Sequence, residues 1–248
     1  MPRFFVRQNQ ISDGIVQIVG DDAHHISRSL RMAVGEYITV SDMQKNEYEC
    51  VLKSFSDNLV TAEIVSHRQA DTEPLFYAHL YQALPKGEKL DYIIQKAVEC
   101  GVSEITTFES ERCIAKEKDP DGKKLSRRQR IALEAAKQSG RGVIPCINPT
   151  VSYEKMLDEA MRADLVLFCY EGDGTLPLGQ VIKDKLSDKG RENISISIII
   201  GSEGGFSIKE AQRAKERGVS LIGLGKRILR TETASGFVLS CLVYEFEL

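Results

Sequence analysis

The stretch ISISIIIGSEGGFS, Ile194–Ser207, decides the fold class. Its first seven residues hold five isoleucines and no charge. A near-continuous apolar run of this length fits a strand buried on both faces, as in a parallel sheet. Glycines follow it, and then Ser207-Ile208-Lys209-Glu210, a capping box that predicts a helix to about Arg217. Strand, glycine loop and helix form the unit from which parallel α/β sheets are built.

The same rhythm extends in both directions. LFYAHLYQ (75–82) predicts a strand and 89–100 a helix; 103–109 predicts another strand. Ser126-Arg127-Arg128-Gln129 fits a second capping box and predicts a helix starting there. DLVLFCY (164–170) is another apolar run, VSLIGLG (219–225) a strand ending in glycines, and the last helix follows Thr231. The expected fold class is therefore α/β with a mostly parallel sheet. Upstream the period changes to two: Ile15 and Ile18, Ile38 and Val40, Tyr48 with Cys50 and Leu52, Val60 with Ala62 and Ile64. Short alternating strands with one helical insert, Asp21–Arg31, predict a small β-barrel. The polar stretch RQADTEP (68–74) separates two domains, 1–70 and 74–248.

Composition excludes several classes. The chain has 248 residues, 42% apolar and 28% charged, which rules out a disordered, collagen-like or coiled-coil protein. No apolar run approaches the roughly 20 residues that span a bilayer. The start MPRFFVRQNQ has no apolar core of a secretory signal, so a cytoplasmic protein is expected. The six cysteines form no CxxC pair and show no zinc-ligand spacing, and they read as reduced, buried side chains. His24 and His25 are adjacent, point different ways on a helix and have no third ligand, so no metal is expected.

A net charge of −3 does not announce a nucleic-acid binder, but the charge is uneven. Arg112–Arg141 holds ten Lys/Arg against four Asp/Glu. This is either a solvated helix face or a patch that tracks phosphates. Two glycine loops follow likely central strands: Gly201-Ser202-Glu203-Gly204-Gly205-Phe206 and Gly223-Leu224-Gly225-Lys226-Arg227-Ile228-Leu229-Arg230. Ligands of open parallel sheets bind beyond the carboxyl ends of the strands, where glycines permit close backbone approach. Neither loop is a P-loop or a complete GxGxxG fingerprint. Glycines that simply make tight turns are the alternative. In Arg230-Thr231-Glu232-Thr233, helix capping by Thr231 and a dipole-favoured Glu232 account for two residues and leave Arg230 over.

IIIGSEGGFS (198–207) and LGKRILRTETA (224–234) carry a resemblance, supported by PRFFV near the N-terminus, HISRSLR (25–31), QALPKGEKLDYIIQKAVECGV (82–102) and EAAKQSGRGVIP (134–145). In these the whole chain resembles the bacterial family that methylates N3 of a uridine in 16S ribosomal RNA (RsmE-like), within the SPOUT superfamily. Ser202 stands where that family usually has proline, and Cys113-Ile114 departs from its usual serine-containing segment. The resemblance implies a PUA-like β-barrel for RNA and a SPOUT-type α/β domain with a deep trefoil knot. It also implies a homodimer, with 16S rRNA in the small ribosomal subunit as partner and S-adenosylmethionine as cofactor. By motif position, cofactor contacts are expected at Ile200, Gly201, Glu203, Gly205, Leu224, Gly225, Ile228 and Leu229, with Phe168, Tyr170 and Glu171 lining the same pocket. Arg230 is the expected stabiliser of a uridine anion, and Glu203 or Glu232 the expected proton acceptor. Given an RNA substrate, Arg3, Arg7, His25, Arg28, Arg31, Lys86, Arg112, Arg127, Arg128 and Arg141 become expected RNA contacts. A non-catalytic RNA-binding factor, or a knotted enzyme acting on tRNA, is the competing reading. The first would have no reason to keep the cofactor loops.

Overall fold

Alternation in the first seventy residues produces short paired strands. In the computed structural model, which describes residues 1–119, 121–189 and 194–248, these are β1 (Arg3–Phe5), β2 (Ile11–Ser12), β3 (Ile15–Val19), β4 (Tyr37–Ser41), β5 (Asn46–Ser56) and β6 (Leu59–Gln69). They form one sheet in the order β1-β4-β5-β6-β3-β2, antiparallel except for β1 with β4. Register shifts at Glu49/Cys50 and Leu52/Ser54 mark irregularities that bend β5 against β6. The inward residues, among them Phe4, Val16, Ile18, Ile38, Val40, Leu52 and Val60, make a core of their own. The helical insert is shorter than the sequence predicts: α1 (Asp21–His24) runs into a π-helical turn, His25–Ser29. Arg31 follows with a positive φ of 52°.

The chain divides into two compact units, Met1–Glu73 with Ala136–Ile144, and Pro74–Ala135 with Pro145–Leu248. The segment Ala136–Ile144 returns to the first unit through polar partners. Ser41 Oγ donates to Gly142 O at 2.6 Å, and Arg141 Nη2 donates to Glu73 Oε2 at 2.7 Å.

The second unit comprises β7 (Phe76–Ala83), α2 (Lys89–Glu99), β8 (Glu104–Glu109), most of α3 (Lys123–Ser139), β9 (Cys146–Ser152), α4 (Tyr153–Ala160), β10 (Leu165–Cys169), β11 (Leu176–Pro177), α5 (Leu178–Lys189), β12 (Ile194–Ile200), α6 (Ile208–Glu216), β13 (Leu221–Gly223) and α7 (Thr231–Glu247). Its sheet is wholly parallel, ordered β11-β13-β10-β12-β7-β8-β9. β12 is central, and Ile196, Ile198 and Ile199 are fully buried, as an uncharged run between two layers requires. Strand order reverses around β12: the chain runs outward through β7, β8 and β9, then returns to β10 on the other side. That reversal opens a crevice at the carboxyl ends.

One capping box is real and the other is not. Ser207 Oγ accepts from Glu210 N at 3.2 Å, and Glu210 returns the contact by accepting from Ser207 N at 2.8 Å. At Ser126 the expected helix start is corrected. α3 begins at Lys123, and Asp119 caps it by accepting from the Lys124 and Leu125 amides at 3.1 and 2.9 Å. Ser126 instead donates to Gly122 O at 2.8 Å, one turn back.

Candidate functional site

Adjacent strands β13, β10 and β12 end at Gly223, Cys169 and Ile200, and the loops beyond them enclose a cavity of about 190 Å³. Gly205 N–H donates to Ser202 O at 2.9 Å, which closes a tight turn over Ser202–Gly205. Gly205 has φ +62°, and a Cβ there would lie 2.7 Å from Glu171 Oε1. A Cβ on Gly201 would come within 3.1 Å of the Gly205 backbone, and one on Gly223 within 2.7 Å of Thr175 Oγ1. Close approach therefore favours glycine at Gly201 and Gly223, and the left-handed backbone favours it at Gly205.

The turn is anchored from beneath. Thr231 Oγ1 donates to Gly201 O at 2.6 Å and accepts from Gln82 Nε2 at 2.9 Å. Thr231 is thus the first helical residue of α7 and not its cap, as the sequence suggests. Its hydroxyl is taken up by the loop of β12, and Arg230 occupies the N-cap position without a side-chain capping bond. Ser202 lines the cavity, and its buried Oγ has no hydrogen-bond partner among the described residues. A buried hydroxyl without a protein partner is an unmet contact for a polar ligand. With glycines and apolar side chains, one such hydroxyl and charged Glu171, Lys226 and Arg227 at the wall, the cavity suits a small molecule bearing both apolar and charged parts.

Of the residues singled out in the sequence, Tyr170, Glu171, Ile200, Gly201, Gly205, Leu224, Gly225, Ile228 and Leu229 line this one cavity. Phe168 does not. It is fully buried, and its ring lies 4.3 Å from that of Phe206, which does line the cavity, so Phe168 supports the wall from behind. Glu203 does not line it either. Lys86 N–H donates to its Oε1 at 3.1 Å and Lys89 Nζ at 2.8 Å. Burial pushes the Glu203 carboxyl up, but the Lys89 ammonium and backbone amides outweigh this and hold it below the usual carboxylate range. Sequence reasoning missed Thr175, Phe206, Lys226 and Arg227 as lining residues. Phe206, Lys226 and Arg227 lie inside the two quoted motifs, so the loops were visible but not which of their side chains turn inward. Arg230 is exposed. Glu232 lies in the first turn of α7, its Oε2 3.8 Å from Lys89 Nζ.

The basic residues separate into two groups. Arg3 pairs with buried Glu47, Arg128 with Glu117 at 2.7 Å, and Arg141, only 4% exposed, with Glu73 at 2.7 Å. Each of these three guanidiniums is largely buried against a carboxylate. Arg7, His25, Arg28, Arg31, Lys86 and Arg112 are exposed. Arg112 Nη1 also donates to Gly204 O at 2.9 Å, on the Ser202–Gly205 turn itself. Arg127 is 63% exposed and pairs with Asp91. Among the described residues no group of three or more His, Cys, Asp or Glu could hold a metal, and no helix is long and apolar enough to cross a membrane.

Comparison with known proteins gives a consistent result. The family pattern described as an RNA methyltransferase domain matches residues 71–243, and that of an RNA methyltransferase PUA domain matches residues 18–65. Ribosomal RNA small subunit methyltransferase E of Bacillus subtilis (strain 168) is 33% identical over 255 residues, covering 100% of this chain and 98% of that protein. The protein of the same name from Mesomycoplasma hyopneumoniae (strain 232) is 34% identical, covering 97% and 98%. The crystal structure of the Neisseria gonorrhoeae protein of that name, bound to S-adenosyl methionine, superposes with a TM-score of 0.85. It is 31% identical and covers 99% of this chain and 98% of that one.

Proposed function

The chain belongs to the ribosomal RNA small subunit methyltransferase E family and is an RNA methyltransferase, and we propose that it methylates N3 of a uridine in 16S rRNA using S-adenosylmethionine. The observation that carries this reading is the glycine-lined cavity at the ends of β10, β12 and β13, where the Ser202 hydroxyl has no partner among the described residues and the glycines are closely packed. When bound there, S-adenosylmethionine supplies a methyl group already activated by its sulfonium.

The remaining task falls to the chain's own residues, and it is mostly one of positioning. N3 lies on the pairing edge of uracil, so the base must leave its stack to be reached. N3 also carries a proton. Glu232 accepts it in this proposal, because the Glu203 carboxylate is already engaged by hydrogen bonds from the Lys89 ammonium and the Lys86 amide. Charge then develops on the uracil carbonyl oxygens, and the exposed guanidinium of Arg230, beside Glu232, offers a planar pair of donors to them. Arg7, His25, Arg28, Arg31, Lys86, Arg112 and Arg127 are proposed as the RNA-facing side chains. The same reading implies a SPOUT-type trefoil knot, a small-subunit substrate, a cytoplasmic site of action and a homodimer. For the dimer, the groove beside α7 supports it, with Phe237 and Tyr244 exposed along one helix.

The test is mass-spectrometric nucleoside analysis of 16S rRNA from a deletion strain, with and without added enzyme. N3-methyluridine should be absent without the enzyme and return with it. Arg230→Ala should lower single-turnover transfer about 10²–10³-fold while cofactor affinity changes little. A near-wild-type rate would leave Arg230 as an RNA contact only.

A further inference from the structure

The cavity loops are joined twice. Inside, the uncharged bond from Thr231 Oγ1 to Gly201 O links the start of α7 to the end of β12. Outside, two residues further along the loop of β12 and one further along α7, the link is ionic. Lys89 Nζ lies 2.8 Å from Glu203 Oε1 and 3.8 Å from Glu232 Oε2. Glu232 Oε2 is buried and accepts no hydrogen bond from the described residues. Lys89 is the cation nearest to it among the ion pairs of the described residues. Lys89 opens α2, and the loop before that helix contributes the Lys86 N–H to the same Glu203 carboxylate.

We propose that Lys89 is a positioning residue for methyl transfer: its ammonium spans Glu203 and Glu232 and so fixes the spacing between the Ser202–Gly205 turn and the Arg230–Glu232 head of α7. The inference rests on the functional reading above and adds a residue to it. In that reading the turn would hold the cofactor, and the groups proposed to handle uracil lie at the helix head. An error of about 1 Å between them is enough to cost on the order of 10²-fold in rate. The inner bond alone leaves the two segments free to pivot about Thr231, and the outer ionic link removes that freedom. Half-exposed ion pairs add little to stability. A clasp of this kind therefore acts on the rate and leaves the folding equilibrium nearly alone.

The test compares Lys89→Met, Lys89→Arg and Glu203→Gln with the wild-type protein. The probes are S-adenosylmethionine binding by calorimetry, thermal melting and steady-state methylation of 16S rRNA. Lys89→Met should lower kcat at least twentyfold. Its KM for RNA and its cofactor affinity should move less than threefold, and its melting temperature by no more than about 2 °C. Lys89→Arg, which keeps the charge and the reach, should recover most of kcat. In the Glu203→Gln background Lys89→Met should cost much less than alone, because the two share one link. A raised RNA KM with unchanged kcat would make Lys89 a phosphate contact and overturn the proposal. A large fall in melting temperature that Lys89→Arg also shows would make it structural and do the same. Failure of the wild-type protein to form N3-methyluridine would overturn the functional reading itself, and this inference with it.

Discussion

Thr231→Val isolates the inner bond. The substitution keeps the branched shape and removes the hydroxyl, which donates to Gly201 O at 2.6 Å and accepts from Gln82 Nε2 at 2.9 Å. Thr231 is 5% exposed, so water has little access to replace it. The partners are not wholly orphaned. Gln82 Nε2 keeps Ala83 O at 3.0 Å and a long contact to Gly201 O at 3.4 Å. Two neutral bonds at about 1 kcal/mol each, with partial loss of satisfaction at the Gly201 carbonyl, give about 2–3 kcal/mol of destabilisation. Gly201 lines the cavity, so a shift of its carbonyl should also weaken S-adenosylmethionine, by roughly tenfold if about 1.4 kcal/mol of that cost is paid in the site. Urea unfolding at unchanged m reads the first quantity and calorimetric titration the second. Thr231→Ser should retain most of both. A valine variant within about 0.5 kcal/mol of wild type and with unaltered affinity would refute the claim that this bond sets the loop.

Two other perturbations separate local causes. Gly205→Ala should cost about 1–2 kcal/mol for the left-handed backbone, with little added by Glu171, whose exposed side chain can swing away from the new Cβ. Gly201→Ala meets the Gly205 backbone, which cannot yield in that way, and should weaken S-adenosylmethionine further than Gly205→Ala does; equal calorimetric losses would contradict this. Arg141→Ala should cost about 3–5 kcal/mol at pH 7 in urea unfolding, because Glu73 would stay buried without its partner. Burial pushes the Glu73 carboxyl up, but Arg141 and the Gly142 and Val143 amides outweigh it and hold it low. Its contribution is thus complete above the ordinary carboxylate range and is lost as pH falls through the depressed value. The gap between wild type and variant should narrow at pH 3; a gap that widens there would reverse the sign of the argument.

What was legible in the sequence divides along a physical line. The ISISIII strand and the glycine loops were readable because their causes are local. Burial on both faces leaves an uncharged run, and close backbone approach leaves no room for a Cβ at Gly201. VSLIGLG was readable as a strand but only Leu221–Gly223 pairs, because pairing depends on where β10 and β11 end. The two capping boxes show the limit most directly. Ser207 and Glu210 cap each other, and Glu111 N donates to Glu210 Oε1 at 2.8 Å from a distant segment. At Ser126 the same pattern is idle, since Asp119 already holds the helix start and Gln129 is engaged with Pro145 O and Ile147 N, each at 3.0 Å. Arg3 and Arg141 show the same dependence on distant segments. Their acidic partners, Glu47 and Glu73, stand 44 and 68 residues away, and a count of charge along the chain treats a neutralised arginine and a free one alike. Thr231 combines both cases. Its residue type and place suit a helix cap, but a hydroxyl bonds whichever acceptor the fold brings nearest, and here that is the carbonyl of Gly201. Residues whose role is set by backbone geometry were therefore found in the right loops. Those whose role is set by a distant partner had to wait for the fold.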